Sequence, residues 1–238
     1  MERLMKAIEN DRLSEVKEIV EQGIQGIEDT LSREDKDQLI SLVKEGNFQK
    51  IKEFVDNLKP LNRALVRASE LGRLDIVKYL IGAGADISNK FFEPLKAAAE
   101  NGHLEVVKYF IEEKGVDIHV GTDHVLRYAA ERGYLDIVKY AYSKGADLSA
   151  FYSYPLFWAA RNKHFEIAEW LLDHGADPNG QETLFTDHPI KDLVKYGQYK
   201  LAAKAVAYGA DPSVLSAEDQ QKLDAYLPAG KMAKTRKL

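Results

Sequence analysis

The sequence of 238 residues contains no cysteine. Disulfides, thiolate metal sites and cysteine nucleophiles are therefore excluded, so a metal would need histidine or carboxylate ligands. The sequence also lacks any apolar run that approaches the roughly 18–20 residues of a membrane-spanning helix. Its first residues form a charged amphipathic segment without the pattern of a signal peptide. We therefore expect a cytoplasmic protein with no membrane partner.

An excess of positive charge is absent as well. Lys and Arg total 33 against 38 Asp and Glu, which gives a net charge of -5. This balance argues against nucleic acid as the partner, because sequence-independent binding of phosphates needs bulk positive charge. Hydrophobic residues make up 45% of the chain and prolines number only 7, so the chain is able to bury a sizeable core.

A segment of eight residues recurs along the chain, and internal repeats of this length are typical of solenoids. It begins at Leu74, Leu104, Leu135 and, more loosely, Phe165, at intervals of 30, 31 and 30 residues. A shorter segment with apolar residues at i, i+3 and i+4 precedes each copy, which predicts two helices per repeat. Both helices need neighbouring repeats to bury their apolar stripes. Each copy is followed by a Gly-x-Asp turn, with the aspartates Asp86, Asp117, Asp147, Asp177 and, once more, Asp211.

These repeats resemble those of the ankyrin family. The resemblance is clearest in residues 101–110 and 174–179, which are similar to the inter-helix and post-helix segments of the family consensus. It implies an all-α solenoid of about seven ankyrin-like helix pairs. The expected organisation is two degenerate pairs as an N-terminal cap in 1–60, ankyrin repeats in 61–212, a C-terminal capping helix in 213–228 and a basic flexible tail in 229–238.

The resemblance also implies a function. It indicates a non-catalytic module that binds another protein through a concave groove and through its loop tips. Divergent repeats of this short period are similar to those of giant viruses and host-associated bacteria, which implies a host-directed effector or inhibitor in the host cytosol. Because we find only repeats and caps, an adaptor, a scaffold or an inhibitor is favoured over an enzyme.

Positions that the repeat does not explain are the candidates for partner binding. One position in each first helix is expected to face the groove, and it holds a large aromatic residue only at Tyr128 and Trp158. Arg67, Arg132 and Arg161 are expected on the same side, and aromatic residues beside arginine are enriched at interface hot spots. Exposed aromatic residues at loop tips would extend this surface. The tip residues are Phe92, Phe151, Tyr152 and Tyr154.

Two other tip residues, Phe91 and Phe185, leave two alternatives open. Their rings either belong to the exposed binding surface or fold back onto the adjacent repeat, as large aromatic side chains often do. The lysines Lys78, Lys108 and Lys139 recur at one position of the second helix. We expect this row to lie on the opposite, convex side, where it solvates the surface.

Motifs of catalysis are missing from the sequence. It has no Gly-x-Ser-x-Gly, no phosphate-binding loop and no dinucleotide-binding glycine pattern. His103 and His164 occupy the same turn position in two repeats, which predicts hydrogen bonds in the turns. The aspartate of each Gly-x-Asp turn is expected to accept a hydrogen bond from the backbone just ahead of it. We therefore expect no catalytic residue, no metal and no cofactor.

Two alternatives remain beside protein binding. The first is an enzyme with a dispersed site at the loop tips, whose candidate residues are His119, His124, Asp117 and Asp123. The second is a nucleic-acid binder that uses Arg67, Arg132 and Arg161 together with the aromatic residues of the groove. Stabilisation by a metal ion would support the first alternative. Binding that weakens steeply with salt would support the second.

Overall fold

In the computed structural model, the described residues are 14, 18, 33–47, 49–51, 60–82, 85–179 and 188–228. Only the backbone is described for residues 33–36, 60, 61, 89 and 152. Most of the predicted N-terminal cap, the tip residue Phe185 and the predicted tail 229–238 lie outside the described residues. The part that the structure describes contains helices and turns and no strand.

Twelve α-helices are formed by the described residues: α1 Arg33–Glu45, α2 Pro60–Glu70, α3 Leu74–Gly82, α4 Asn89–Glu100, α5 Leu104–Lys108, α6 Val120–Arg132, α7 Leu135–Ser143, α8 Ala150–Arg161, α9 Phe165–Asp173, α10 Pro189–Lys195, α11 Tyr199–Ala207 and α12 Ala217–Asp224. Helix α5 continues as a π-helical segment, Tyr109–Glu113, and a 3-10 turn, Pro212–Val214, precedes α12. None of the described helices has both the length and the apolar character that a membrane crossing requires.

The helices are arranged as consecutive pairs in two rows. The first helices α2, α4, α6, α8 and α10 pack side by side in an inner row. The second helices form the outer row, where α3 packs on α5, and α9 packs on both α7 and α11. Helix α12 packs on α11 at the C-terminal end. The all-α helix-pair solenoid is confirmed, and five complete pairs lie within the described residues, whereas the total of about seven stays a prediction.

Small and β-branched residues form the core between the rows. Ala98, Ala129 and Ala159 of the inner helices are 0% exposed, which lets neighbouring helices approach closely, as the repeat pattern predicts. Val107 and Val138 of the outer helices are equally buried. Ile76 in α3 belongs to the apolar stripe that the repeats are predicted to bury, and this prediction is wrong there, since Ile76 is 45% exposed. No outer helix covers that side of α3 among the described residues.

The Gly-x-Asp turns have the hydrogen bonds that the sequence predicts. In all five turns, an aspartate oxygen accepts a hydrogen bond from the backbone N–H two residues later, at 2.8 to 3.0 Å. This local bond explains the repeated aspartate without any catalytic role. The same local hydrogen bond therefore recurs after each of the five outer helices, α3, α5, α7, α9 and α11.

The turns inside each pair join one repeat to the next. Gly72, Gly102 and Gly133 have positive φ values, and the ring of the next repeat lies against each of them. These rings belong to His103, Tyr134 and His164, and a Cβ on the glycine would overlap each ring. His103 also donates from Nε2 to the carbonyl oxygen of Glu70 at 2.7 Å. The prediction of a turn hydrogen bond is confirmed for His103.

An unexpected feature is a left-handed turn at the start of three inner helices. Residues 90–92, 121–123, 151 and 153 have φ values between 48° and 63°. The third residue of each turn donates from its backbone N–H to a carbonyl oxygen four residues earlier, at 3.1 to 3.3 Å. The side chains of Asp123 and Ser153, third in their turns, are buried, whereas Phe91, second in its turn, is 83% exposed. The turn therefore determines which tip residue points into solvent.

Candidate partner-binding surface

A cluster of aromatic and basic side chains lies where α4, α6 and α8 adjoin in the inner row. We call it the aromatic–cation cluster, and it consists of Lys96, Arg127, Tyr128, Phe151, Tyr154, Phe157, Trp158 and Arg161. Three repeats contribute to it because equivalent positions of stacked helices become neighbours.

Tyr154 is at the centre of the rings. Its ring centroid lies 6.4 Å from that of Tyr128, 6.1 Å from Phe151 and 5.7 Å from Trp158. Its hydroxyl donates a hydrogen bond to the carboxylate of Glu131 on α6. Burial and this bond raise the pKa of Tyr154 above its ordinary value, so the phenol stays protonated. The central ring is thus held at both its apolar and its polar end.

Arg127 connects the rings to the left-handed turn of its own helix. Only 7% of the residue is exposed, and its Nη1 donates to the carbonyl oxygens of Gly121 at 3.1 Å and Thr122 at 3.4 Å. Its guanidinium carbon lies 4.3 Å from the ring centroid of Phe151 and 4.5 Å from that of Tyr154. This buried cation supports the tip backbone and the aromatic faces together.

The other rings also have a cation of the chain against them. Lys96 Nζ lies 5.0 Å from the Tyr128 centroid, and the Arg161 guanidinium lies 5.4 Å from Phe157 and 5.8 Å from Trp158. Lys96 is also 3.6 Å from Glu93 and 3.9 Å from Glu100. Burial raises the pKa of Glu100, and the charges of Lys96 and Arg132 oppose that shift. A second cation from a partner would therefore meet rings that already face a positive charge.

Five of the predicted binding residues come together in this cluster. Tyr128, Phe151, Tyr154, Trp158 and Arg161 all belong to it, with Phe151 and Arg161 exposed and the other three half-buried. Sequence reasoning missed Arg127 and Lys96. Both residues lie one position before the residue that is predicted to face the groove, and this shared position is the signal that could have identified them.

The remaining predicted residues lie elsewhere. Arg67 is exposed on α2 and pairs with Glu70 of the same helix at 2.8 Å. Arg132 is exposed at the end of α6, with no aromatic ring against it among the described residues. Phe92 is partly buried and packs against the core, whereas Phe91 beside it is exposed, which answers the question left open for that ring. The side chain of Tyr152 lies outside the described residues.

The position predicted to face the groove differs from repeat to repeat. Ala97 in α4 is 4% exposed and Asp192 in α10 is 7% exposed, so both are buried. Only Tyr128 and Trp158 present large, partly accessible rings at this position. At this one position, the partly accessible aromatic rings of the described inner helices are therefore those of α6 and α8.

Three of the four residues of the alternative enzyme site, Asp117, His119 and Asp123, are linked through His119, whereas the His124 ring lies 5.5 Å from that of Tyr128. His119 Nδ1 lies 2.9 Å from a carboxylate oxygen of Asp123, and Asp117 accepts the backbone N–H of His119. Burial lowers the pKa of His124 to about 4, and the charges of Arg127 and Lys96 act in the same direction. No group of three or more metal-ligating side chains occurs among the residues that the structure describes.

Comparisons with known proteins agree with this geometry. A family model described as ankyrin repeats (3 copies) matches residues 65–152 and 95–182. An ankyrin repeat and KH domain-containing protein, mask-1 of Caenorhabditis elegans, is 30% identical over 147 residues, which are 61% of this chain and 6% of that protein. The palmitoyltransferase ZDHHC13 of Mus musculus is 30% identical over 120 residues, 49% of this chain and 15% of that protein.

The chain therefore spans only a small part of the curated relatives that it matches. The family match covers all or most of four of the five described helix pairs, from α2 to α9. Ankyrin repeats generally mediate interactions between proteins. The chain belongs to the ankyrin repeat family.

Proposed function

We propose that this chain is a non-catalytic interaction module, and that it binds its partner through the aromatic–cation cluster and the adjacent tips. The aromatic–cation cluster carries the proposal, because it is the place where partly accessible aromatic rings and arginine lie together on the inner row. Such groupings contribute most of the binding free energy at protein interfaces. The exposed ring of Phe91, one repeat away, extends the surface toward the tips.

Two features favour binding over a purely structural role of the cluster. Trp158 Nε1 is buried and has no hydrogen-bond partner among the described residues. An indole N–H normally finds an acceptor, so packing alone does not explain this unpaired donor. The left-handed turns hold several non-glycine residues in a conformation that costs roughly 1–2 kcal/mol each, and strain of this kind clusters at functional sites.

The test compares inner and outer aromatic residues in one capture experiment. The full chain is immobilised, and proteins retained from a cell lysate are identified by mass spectrometry for the wild type and two double variants. The inner variant is Tyr128→Ala with Trp158→Ala. The matched outer variant is Tyr142→Ala with Tyr208→Ala, two rings that are 41% and 51% exposed on the opposite row. Each candidate is then purified and its Kd is measured by calorimetry.

We expect a protein whose Kd rises at least about 30-fold with the inner variant and about threefold or less with the outer variant. Circular dichroism and thermal unfolding are used to check that both variants fold, and we expect that they do. Arg161→Glu is a third variant that leaves every aromatic ring in place, and it should also weaken binding. Equal affinities of the inner and outer variants for every captured protein would refute the proposal. The host-directed effector or inhibitor role stays a prediction.

A further inference from the structure

The last turn of the inner helices changes sign of charge along the stack. Equivalent positions hold Glu70 in α2, Glu100 in α4 and Glu131 in α6, but Arg161 in α8 and Lys195 in α10. Arg132 at the end of α6 and Lys163 after α8 add two further cations on the basic side. We call Arg132, Arg161, Lys163 and Lys195 the basic rim, and it adjoins the aromatic–cation cluster.

The positive and negative groups differ in their accessibility. All four side chains of the basic rim are exposed, whereas Glu100, Glu131 and Asp192 are partly or fully buried. Glu100 is near Lys96, and Glu131 accepts the hydroxyl of Tyr154. Within the described part of the chain, Arg132, Lys163 and Lys195 form no ion pair. The surface beside Trp158 is therefore positive, although the whole chain has a net charge of -5.

Lys163 occupies a place where the other repeats have glycine. Its φ is 67°, close to the 65° to 94° of Gly72, Gly102, Gly133 and Gly197. A non-glycine residue is strained in this left-handed region. Its Nζ lies 4.8 Å from the centroid of Tyr196, and Lys195 Nζ lies 5.3 Å from the same ring. A lysine in a conformation that favours glycine carries backbone strain, and strain of this kind clusters at functional sites.

The helix dipole does not account for the rim by itself. Cations are favourable in the last turn of any helix, so Arg132, Arg161 and Lys195 gain some stability there. The same last turn holds Glu70 and Glu100 in the preceding helices, where the dipole has the same direction. Lys163 follows its helix and sits in the turn. The change of sign is therefore a property of this surface and not of helix ends in general.

From these observations we propose that the basic rim binds an acidic segment of the partner protein, whose carboxylates contact Arg132, Arg161, Lys163 and Lys195 while one apolar side chain covers Trp158. This inference rests on the proposed function and specifies the chemistry of the partner. The cations over the aromatic rings disfavour a basic segment at the same place. A nucleic acid is disfavoured because the rim supplies only four cations on a chain with a net charge of -5, whereas binding of a continuous row of phosphates needs bulk positive charge.

The experiment uses three probes of defined charge with the purified full chain. One is a fluorescent twelve-residue peptide of alternating Glu and Tyr, the second is its Lys and Tyr counterpart, and the third is a twelve-nucleotide single-stranded DNA. Binding is measured by fluorescence anisotropy at low and at moderate salt. The rim variant is Arg161→Glu with Lys195→Glu, and the matched outer variant is Lys139→Glu with Lys200→Glu, both exposed lysines of the outer row.

We expect the Glu and Tyr peptide to bind at least about tenfold more tightly than the Lys and Tyr peptide, and the rim variant to lose at least about tenfold in affinity. The outer variant should change affinity by about threefold or less, because its charges are distant and screened. An equal loss in both variants, or tighter binding of the DNA, would overturn the inference.

Failure of the inference is distinguishable from failure of the proposed function. The Lys and Tyr peptide could bind more tightly than the Glu and Tyr peptide and lose its binding when Trp158 is replaced by alanine. In that case the inner surface binds proteins, and only the proposal of an acidic partner is wrong. If no peptide binds, the acidic partner is likewise overturned, and the capture comparison of inner and outer aromatic variants still decides the proposed function.

A substitution at Lys163 separates charge from folding. Lys163→Gly removes one cation and relieves the strained backbone, so the melting temperature should stay equal to that of the wild type or rise. Affinity for the Glu and Tyr peptide should nevertheless fall by about threefold. A variant that binds as well as the wild type would exclude Lys163 from the site, since its fold is intact.

Discussion

The outer helices α3 and α7 have nearly the same sequence but different surroundings. Ile137 in α7 is 0% exposed, whereas the equivalent Ile76 in α3 is 45% exposed. The repeat also has a tyrosine three residues after this position. In α3 it is Tyr79, which is 73% exposed, and in the segment that continues α5 it is Tyr109, which is 5% exposed. Helix α7 lies within the outer row, and α3 lies at its N-terminal edge among the described pairs. One motif thus becomes core or surface according to its neighbours.

The largest effect is expected for a charge placed between the central helices. Ala129 is 0% exposed in the inner row, and a glutamate there would be buried without a partner. Ala129→Glu should therefore cost more than about 4 kcal/mol and unfold the central pairs. The matched variant Ala64→Glu, on the exposed side of α2, should cost less than about 1 kcal/mol. Urea unfolding followed by circular dichroism measures both, and similar midpoints would contradict the helix register.

The second prediction compares the two isoleucines directly. Ile137→Ala should lower the free energy of unfolding by about 2–4 kcal/mol, because it leaves a cavity in the core. Ile76→Ala should lower it by less than about 1 kcal/mol, since that side chain is already half in solvent. The difference between the two losses measures how much the neighbouring outer helix contributes. Equal losses would mean that α3 is covered in solution as completely as α7.

The third prediction concerns two turn glycines with similar backbone conformations. Gly133 has a φ of 94° and the His164 ring of the next repeat lies against it, whereas Gly145 has a φ of 97° and nothing lies within 4 Å of the place that an added Cβ would occupy. Alanine at either place carries the strain of the left-handed region, roughly 1–2 kcal/mol. Gly133→Ala should cost more, because the new Cβ displaces the ring. The melting temperatures of the two variants measure this difference. Equal decreases would mean that the His164 ring does not pack against Gly133.

The fourth prediction concerns a pH dependence, whose effect on stability is small near neutral pH and grows as the pH decreases. The pKa of His124 is lowered to about 4 by burial and by the charges of Arg127 and Lys96. Between about pH 6.5 and pH 4, the unfolded chain therefore binds a proton that the folded chain does not, and this difference destabilises the fold as the pH decreases. His124→Gln should show a smaller decrease of melting temperature over this interval than the wild type. Parallel pH profiles of the two proteins would contradict the assignment.

Several features were predictable because they depend on neighbours along the chain. The hydrogen bonds of Asp117 and Asp147 involve residues two positions away, and the buried Ala129 and Ala159 follow from helical spacing. The left-handed turns were not predictable, since Lys90, Phe91 and Phe92 include no glycine to indicate positive φ. The position of Arg127 in the repeat was readable from the sequence, but its contacts were not predictable, because the rings of Phe151 and Tyr154 come from the next repeat.

The sequence by itself determined the period, the helix pairs, the turn aspartates and the identity of the rings at Tyr128 and Trp158. These features follow from local geometry and from the requirement that an apolar stripe be buried. Only the tertiary structure decided that Ile76 is exposed, that Phe92 packs while Phe91 does not, and that Lys96, Arg127 and Arg161 lie against the rings of α6 and α8. Burial and charge at a surface depend on which residues of different repeats become neighbours when the helices stack. These residues are about 30 positions apart in the sequence, so local patterns do not show that they meet.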